Sequence, residues 1–122
     1  WYNDHGLPAP DSPEATVRAI VESLAVAFAD AVQTAVALTG HAVDVIHIVG
    51  GGSLNRLLCQ LTADRSGIRV LAGPLEATAM GNILVQARAH QFVTGDLETM
   101  RALVARAFPP IAYEPRQRGS AE

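Results

Sequence analysis

Asp44-Val45-Ile46-His47-Ile48-Val49-Gly50-Gly51-Gly52-Ser53-Leu54-Asn55 joins two opposed backbone tendencies. The branched side chains of Val45, Ile46, Ile48 and Val49 favour extended backbone, so 44–49 is predicted as a strand. Three glycines then clear every side chain from a turn. Ser53 is placed to cap a helix whose inward set is Leu54, Leu57, Leu58 and Leu61, and Gly67 is placed to end it. A glycine-rich turn after a strand lets a ligand approach the backbone, and the following helix points unpaired N–H groups into the same space. Asn55 adds an amide that both donates and accepts, which suits a purine edge or a ribose. Glycines also serve a plain tight turn, and the motif alone leaves both readings open.

Two familiar phosphate motifs fail against these residues. A dinucleotide fingerprint wants a small residue where Asn55 stands, and an acid at the end of the next strand, where the chain has Val70-Leu71-Ala72-Gly73. A P-loop ends in Gly-Lys-Ser/Thr, and the sequence has no such tripeptide.

Outward from the turn, the same physical signals divide the chain. Ser12-Pro13-Glu14 starts a helix by cap, fixed φ and dipole, and Gly40 ends it. Val17, Ile20, Val21, Leu24, Phe28, Val32, Ala35 and Leu38 recur along it at helical spacing. Downstream, 68–72 reads as a second strand stopped by Gly73-Pro74. A third helix spans about 75–90 with Ala77, Met80, Ile83, Leu84 and Ala87 as its apolar set. Thr94-Gly95-Asp96 opens a fourth to about Ala107, and Pro109-Pro110 is expected to end regular structure. The order helix, strand, helix, strand, helix, helix belongs to α/β folds with parallel strands. Two short strands do not make a self-sufficient sheet, so strands are missed here or belong to a larger sheet.

Composition narrows the classes of function. Of 122 residues, 49% are hydrophobic and 17% charged, with 9 Lys+Arg against 12 Asp+Glu. That is a globular, mildly acidic chain with no basic excess for nucleic acid or an anionic membrane. The stretch from Leu24 to Leu38 is interrupted by Asp30, Gln33 and Thr34, and is read as too short and too polar to span a bilayer. The polar start from Trp1 to Pro10 is unlike a signal peptide. The single cysteine, Cys59, excludes an intrachain disulfide and fits a reducing compartment, so a cytoplasmic location is expected.

A wider set of residues carries a family resemblance. The segment Ile46 to Asn55 leads through Leu57-Leu58 and Gln60-Leu61 to Ala63-Asp64, Gly67 and Val70, then Ala72-Gly73-Pro74, Glu76-Ala77-Thr78 and Gly81-Asn82-Ile83. Together they resemble the second-domain signature of the FGGY carbohydrate kinases. Within that family the triple glycine, the Ala-Gly-Pro turn and the Gly-Asn pair are most similar to the rhamnulokinase branch, and the likeness runs from about Leu7 to Pro115. It implies an α/β, partial actin-like (ribonuclease H-like) ATPase domain. Residues 1–12 would be an N-terminal linker, 13–108 an incomplete nucleotide-binding second domain, and 109–122 a tail that is loose from Gln117 on.

The resemblance also implies a role and its cofactors. ATP and Mg2+ would serve a parent enzyme that phosphorylates a ketose such as L-rhamnulose, with the sugar held through an absent first domain. Gly50, Gly51, Gly52 and Asn55 would bind the adenine end of the nucleotide, and Gly81 would let a neighbouring backbone pack closely. The family's phosphate loop and its general-base aspartate have no counterpart here, so no catalytic residue and no metal ligand is assigned. The isolated chain is accordingly expected to be inactive.

The remaining chemistry-bearing residues read as structural. His41 follows a helix stop and is expected in solvent, and His47 alternates with Ile46 and Ile48. His5 and His90 stand too far apart to suggest a metal pair. Cys59, on a core helix without a basic neighbour, is expected to be a buried, inert thiol. Asp64 is read as structural, either bonded to a neighbouring element or solvated, while Arg65, Arg69, Arg88, Arg101 and Arg106 are expected on the surface. A competing reading is a non-catalytic association module, in which an open sheet edge and the long apolar helix recruit a second copy, most simply as a homodimer.

Overall fold

The computed structural model describes residues 2–116; Trp1 and the tail expected from Gln117 to Glu122 lie outside the described residues. Helix α1 (Pro13–Thr39) starts where its signals place it. The Ser12 hydroxyl accepts the Ala15 N–H at 3.1 Å, Pro13 occupies the first turn, and Gly40 closes the end at φ 68°. Strand β1 (Val45–Ile48) leads through a short 3-10 helix (Gly50–Leu54) to α2 (Arg56–Ser66). Then follow β2 (Arg69–Ala72), α3 (Ala77–Ala89), α4 (Leu97–Ala107) and β3 (Ile111–Tyr113).

The sheet has the order β1-β2-β3. β1 and β2 run parallel with Ile46 opposite Val70 and Ile48 opposite Ala72. β3 returns antiparallel, Tyr113 opposite Val70 and Ile111 opposite Ala72. Its existence corrects the expectation that Pro109-Pro110 ends regular structure, and it supplies one of the strands that the sheet lacked. Three residues are too short to show a period, and what makes them a strand is pairing with β2 across about forty intervening residues. The outer edges of β1 and β3 carry no further strand among the described residues.

One face of the sheet packs on α2. Cys59, Ala63, Val70 and Ala72 form a buried cluster, with Ile46, Ile48 and Tyr113 packed around it. On its other side α2 meets α1, where Leu58 is buried with Val21 and Ala25, and Leu61 packs beside them. Small residues at Ala25 and Ala29 face inward on α1, which lets the two helices approach. α2 is thus the central layer, and the glycine-rich turn is mounted on its N-terminus.

Two details of the helices differ from the sequence reading. Of the apolar set on α1, Val21 is buried, whereas Val17, Ile20, Leu24, Phe28 and Leu38 stay exposed. The helix is apolar round more than one face, and α2 covers a single stripe. By length and composition α1 is also apolar enough to cross a membrane, its best window averaging a mean hydropathy of 1.5. That corrects the reading of 24–38 as too short and too polar; in this fold the buried stripe of α1 lies on α2.

Candidate functional site

The turn between β1 and α2 is fastened from the neighbouring loop. The Gly73 N–H donates to the Ile48 carbonyl at 2.8 Å, and the Gly50 N–H donates to the Pro74 carbonyl at 3.2 Å. The Gly73–Pro74 peptide bond is cis. Gly50 has φ 70°, a left-handed conformation that side chains disfavour, so this position requires glycine on backbone grounds. A Cβ there would lie 3.9 Å from the Leu75 carbonyl oxygen. The Pro74 carbonyl that bonds the loop belongs to a turn that sequence reading takes as a strand stop and a family mark, and does not connect to the loop.

The cap of α2 is not the one expected. Ser53 is buried inside the 3-10 turn, where its hydroxyl donates to the Gly50 carbonyl at 2.6 Å. The α-helix begins later, and Asn55 is its N-cap: Asn55 Oδ1 accepts the Leu58 N–H at 3.0 Å. Sequence spacing could not separate these two, because both are good caps and only the 3-10 turn decides which is used. Asn55 therefore has a structural duty on Oδ1, while its Nδ2 donor has no partner among the described residues.

The four expected site residues, Gly50, Gly51, Gly52 and Asn55, form one continuous loop, and they are not equivalent. At Gly52 an added Cβ would meet Ile48 Cγ2 at 3.5 Å. Gly51 faces outward, and a Cβ there meets nothing within 4 Å. The loop thus presents a bare stretch of backbone at Gly51, with the N-terminus of an eleven-residue helix beside it. Arg56, the first helical residue, is exposed next to it, a cation that sequence reading passed over.

Other candidates fall elsewhere. A Cβ at Gly81 also meets nothing within 4 Å, so no described residue makes the close backbone approach expected there. His47 is exposed on the sheet face away from α2, at the edge of a groove of about 810 Å3. Met80, Leu84, Val104 and Phe108 give that groove an apolar lining. His41 is exposed. Cys59 is fully buried and burial pushes its thiol pKa up, the setting of an inert cysteine. Arg65 and Arg69 pair with Glu22 at 3.8 Å and Glu114 at 2.7 Å, and Arg101 pairs with Glu98. Among the described residues no three His, Cys, Asp or Glu side chains come together as a metal site.

Comparison with known proteins gives one consistent result. The profile of the C-terminal domain of the FGGY family of carbohydrate kinases matches residues 3–90. The chain is 41% identical over 111 residues to the rhamnulokinase of Bacteroides thetaiotaomicron, covering 91% of this chain and 23% of that protein. It is 42% identical over 116 residues to the rhamnulokinase of Pectobacterium atrosepticum, covering 95% of this chain and 23% of that one. Against the rhamnulokinase of Klebsiella pneumoniae subsp. pneumoniae it is 48% identical over 83 residues, with coverages of 68% and 17%. The chain thus spans about a quarter of the length of the first two of these relatives. The glycine-rich turn, the mixed sheet and the matched profile agree: this chain belongs to the FGGY family of carbohydrate kinases, and its α/β arrangement is part of that family's actin-like ATPase fold.

Proposed function

We propose that this chain is part of the second domain of an ATP-dependent sugar kinase of the rhamnulokinase type, and that Gly50, Gly51, Gly52 and Asn55 form the wall against which the adenine end of ATP rests. The observation that carries this reading is the open backbone at Gly51, held on a loop bonded to the Pro74 carbonyl. A flat base can lie on backbone that no side chain covers, and the Asn55 Nδ2 is placed to donate to it. The relatives are rhamnulokinases, so the acceptor proposed for the parent enzyme is a ketose such as L-rhamnulose, in the cytoplasm. ATP supplies the phosphoryl group there. Mg2+ would be held mainly by the phosphates, its usual mode where few carboxylates are at hand.

In-line transfer needs a nucleophile, its base, the phosphates and a metal held together. Among the described residues only the adenine wall is assigned, so the isolated 122-residue chain should show no sugar-dependent ADP release. Turnover above a no-enzyme control would reject that division of labour.

The wall itself is tested in the full-length enzyme. Gly51→Val places a side chain where this fold has room for one, so the chain tolerates it and the nucleotide does not. Its ATP dissociation constant should rise at least about ten-fold, while the sugar constant holds. Asn55→Ser keeps a capping oxygen and deletes the amide, and should weaken ATP roughly two- to ten-fold, the worth of one net hydrogen bond. Unchanged ATP affinity in both variants would reject the assignment.

The exposed row Val17, Ile20, Leu24 and Phe28 on α1 favours a second reading, a non-catalytic module that associates with its own copy. A nucleotide-binding result as described decides against it as the chain's main role.

A further inference from the structure

The C-terminal strand is tied to α2 by a clasp of side chains. Asp64 Oδ1 accepts the Arg116 backbone N–H at 2.9 Å and the Gln60 Nε2 at 2.8 Å. The same Gln60 Nε2 donates its other hydrogen to the Glu114 carbonyl at 2.9 Å, and Glu114 pairs with Arg69 on β2. Gln60 and Asp64 lie one turn apart on α2, so a single helix face grips 114–116 twice. Asp64 is half-buried, and with Tyr113 packed on the Cys59 and Ala63 cluster the strand is held by both polar and apolar contacts.

That strand bears on the glycine-rich loop through short steps. β3 pairs with β2 as far as Ile111 opposite Ala72, and Pro110 lies beside Gly73, where a Cβ would come within 3.9 Å of the Pro110 Cα. Gly73 bonds the end of β1, and Pro74 bonds Gly50. The order of contact is therefore clasp, β3, the Gly73-Pro74 turn, then the loop that carries Gly51. The match to the family's C-terminal domain ends at residue 90, so β3 and its anchor at 114–116 lie beyond it.

We propose that Asp64 and Gln60 are positioning residues for the nucleotide loop: by clasping the C-terminal strand they fix the Gly73-Pro74 turn, and through it the backbone at Gly50 and Gly51. This rests on the nucleotide reading above. Gln60 and Asp64 lie outside the loop from Gly50 to Asn55 and bond residues 114–116, so their effect reaches ATP only through the loop and is read as a change in its KM.

The test uses the full-length kinase with Asp64→Ala, Asp64→Asn, Gln60→Ala and Gly51→Val. Asp64→Ala removes both bonds to Oδ1 and should raise KM for ATP roughly five-fold, part of their net worth, with kcat and the sugar KM within about two-fold. Asp64→Asn keeps an Oδ1 acceptor and should restore most of the loss. Hydrogen exchange at the amides of 50–55 should quicken in Asp64→Ala. A lowered melting temperature with unchanged KM for ATP and unchanged loop exchange would overturn the proposal, because the clasp would then be a plain anchor. Should Asp64→Ala fail to fold, Gln60→Ala carries the same prediction with one bond to Glu114 removed. An ATP defect in Gly51→Val with none in Asp64→Ala or Gln60→Ala sinks this proposal and leaves the nucleotide reading standing. No defect in Gly51→Val sinks the nucleotide reading, and the proposal with it.

Discussion

α2 and α3 are helices of similar length, 11 and 13 residues, each following a strand of the same sheet. Yet α2 buries Leu58, Cys59, Thr62 and Ala63, while α3 buries no residue at all. α2 lies between α1 and the sheet; α3 faces a groove toward α4, whose one buried residue is Met100. Both helices have an apolar set at helical spacing. An amphipathic pattern says that a face is to be covered, and whether it is covered depends on what else the chain brings. Here the chain brings enough for one side of the sheet only, as befits a stretch spanning about a quarter of its relatives (23%).

The most direct way to break this comparison is a pair of truncations. Leu58→Ala should destabilise the chain by about 2–5 kcal/mol, the range for a buried leucine. Ile83→Ala, on a side chain that is 66% exposed, should cost no more than about 0.5 kcal/mol. Urea unfolding followed by circular dichroism measures both. Equal losses would mean that α3 is packed as firmly as α2.

Association is the next effect in size. The exposed row on α1 and the open strand edges favour contact between copies. Light scattering at micromolar concentration should give a mass above that of a monomer, and Leu24→Glu should reduce it. A monomer for the unaltered chain would place the missing cover elsewhere.

Two smaller tests refine the α3 and α4 side. Gln91, just past α3, has φ 61°, a conformation glycine adopts more easily. Gln91→Gly should therefore stabilise by roughly 0.5–1 kcal/mol in thermal unfolding. At the start of α4, the Thr99 backbone N–H and then its hydroxyl hold the Asp96 carboxyl below its ordinary pKa. A depressed carboxylate pKa contributes stability above the unfolded value, about 3.9, and loses it as pH falls through the folded value. Asp96→Asn caps without titrating, so the advantage of the unaltered chain over it should be present at pH 5 and shrink below about pH 4. A difference that stays constant over that range would remove the cap from the acid response.

Much of the candidate loop's local structure was legible from the residues themselves. The β-branched run, the glycines and Asn55 lie within one short stretch of sequence, and local chemistry suffices to read a strand, a turn and a helix from them. The cap was misplaced by the same locality. Ser53 and Asn55 are interchangeable as caps in sequence, and only the 3-10 turn that takes up the Ser53 hydroxyl separates them. The backing of the loop by the Pro74 carbonyl was not legible, because it joins residues 24 positions apart.

The sequence by itself determined where α1 begins and ends, that β1 runs into a glycine turn and a helix, and that Cys59 is an inward thiol, since caps, periodicity and burial preference act over a few residues. Only the tertiary structure decided that Ile111–Tyr113 is a strand, that α1 buries Val21, Ala25 and Ala29 in preference to Ile20 and Leu24, and that Asp64 grips the backbone of Arg116. Each of these is a contact between distant parts of the chain. Its free energy depends on which surface arrives opposite, and no local pattern carries that information.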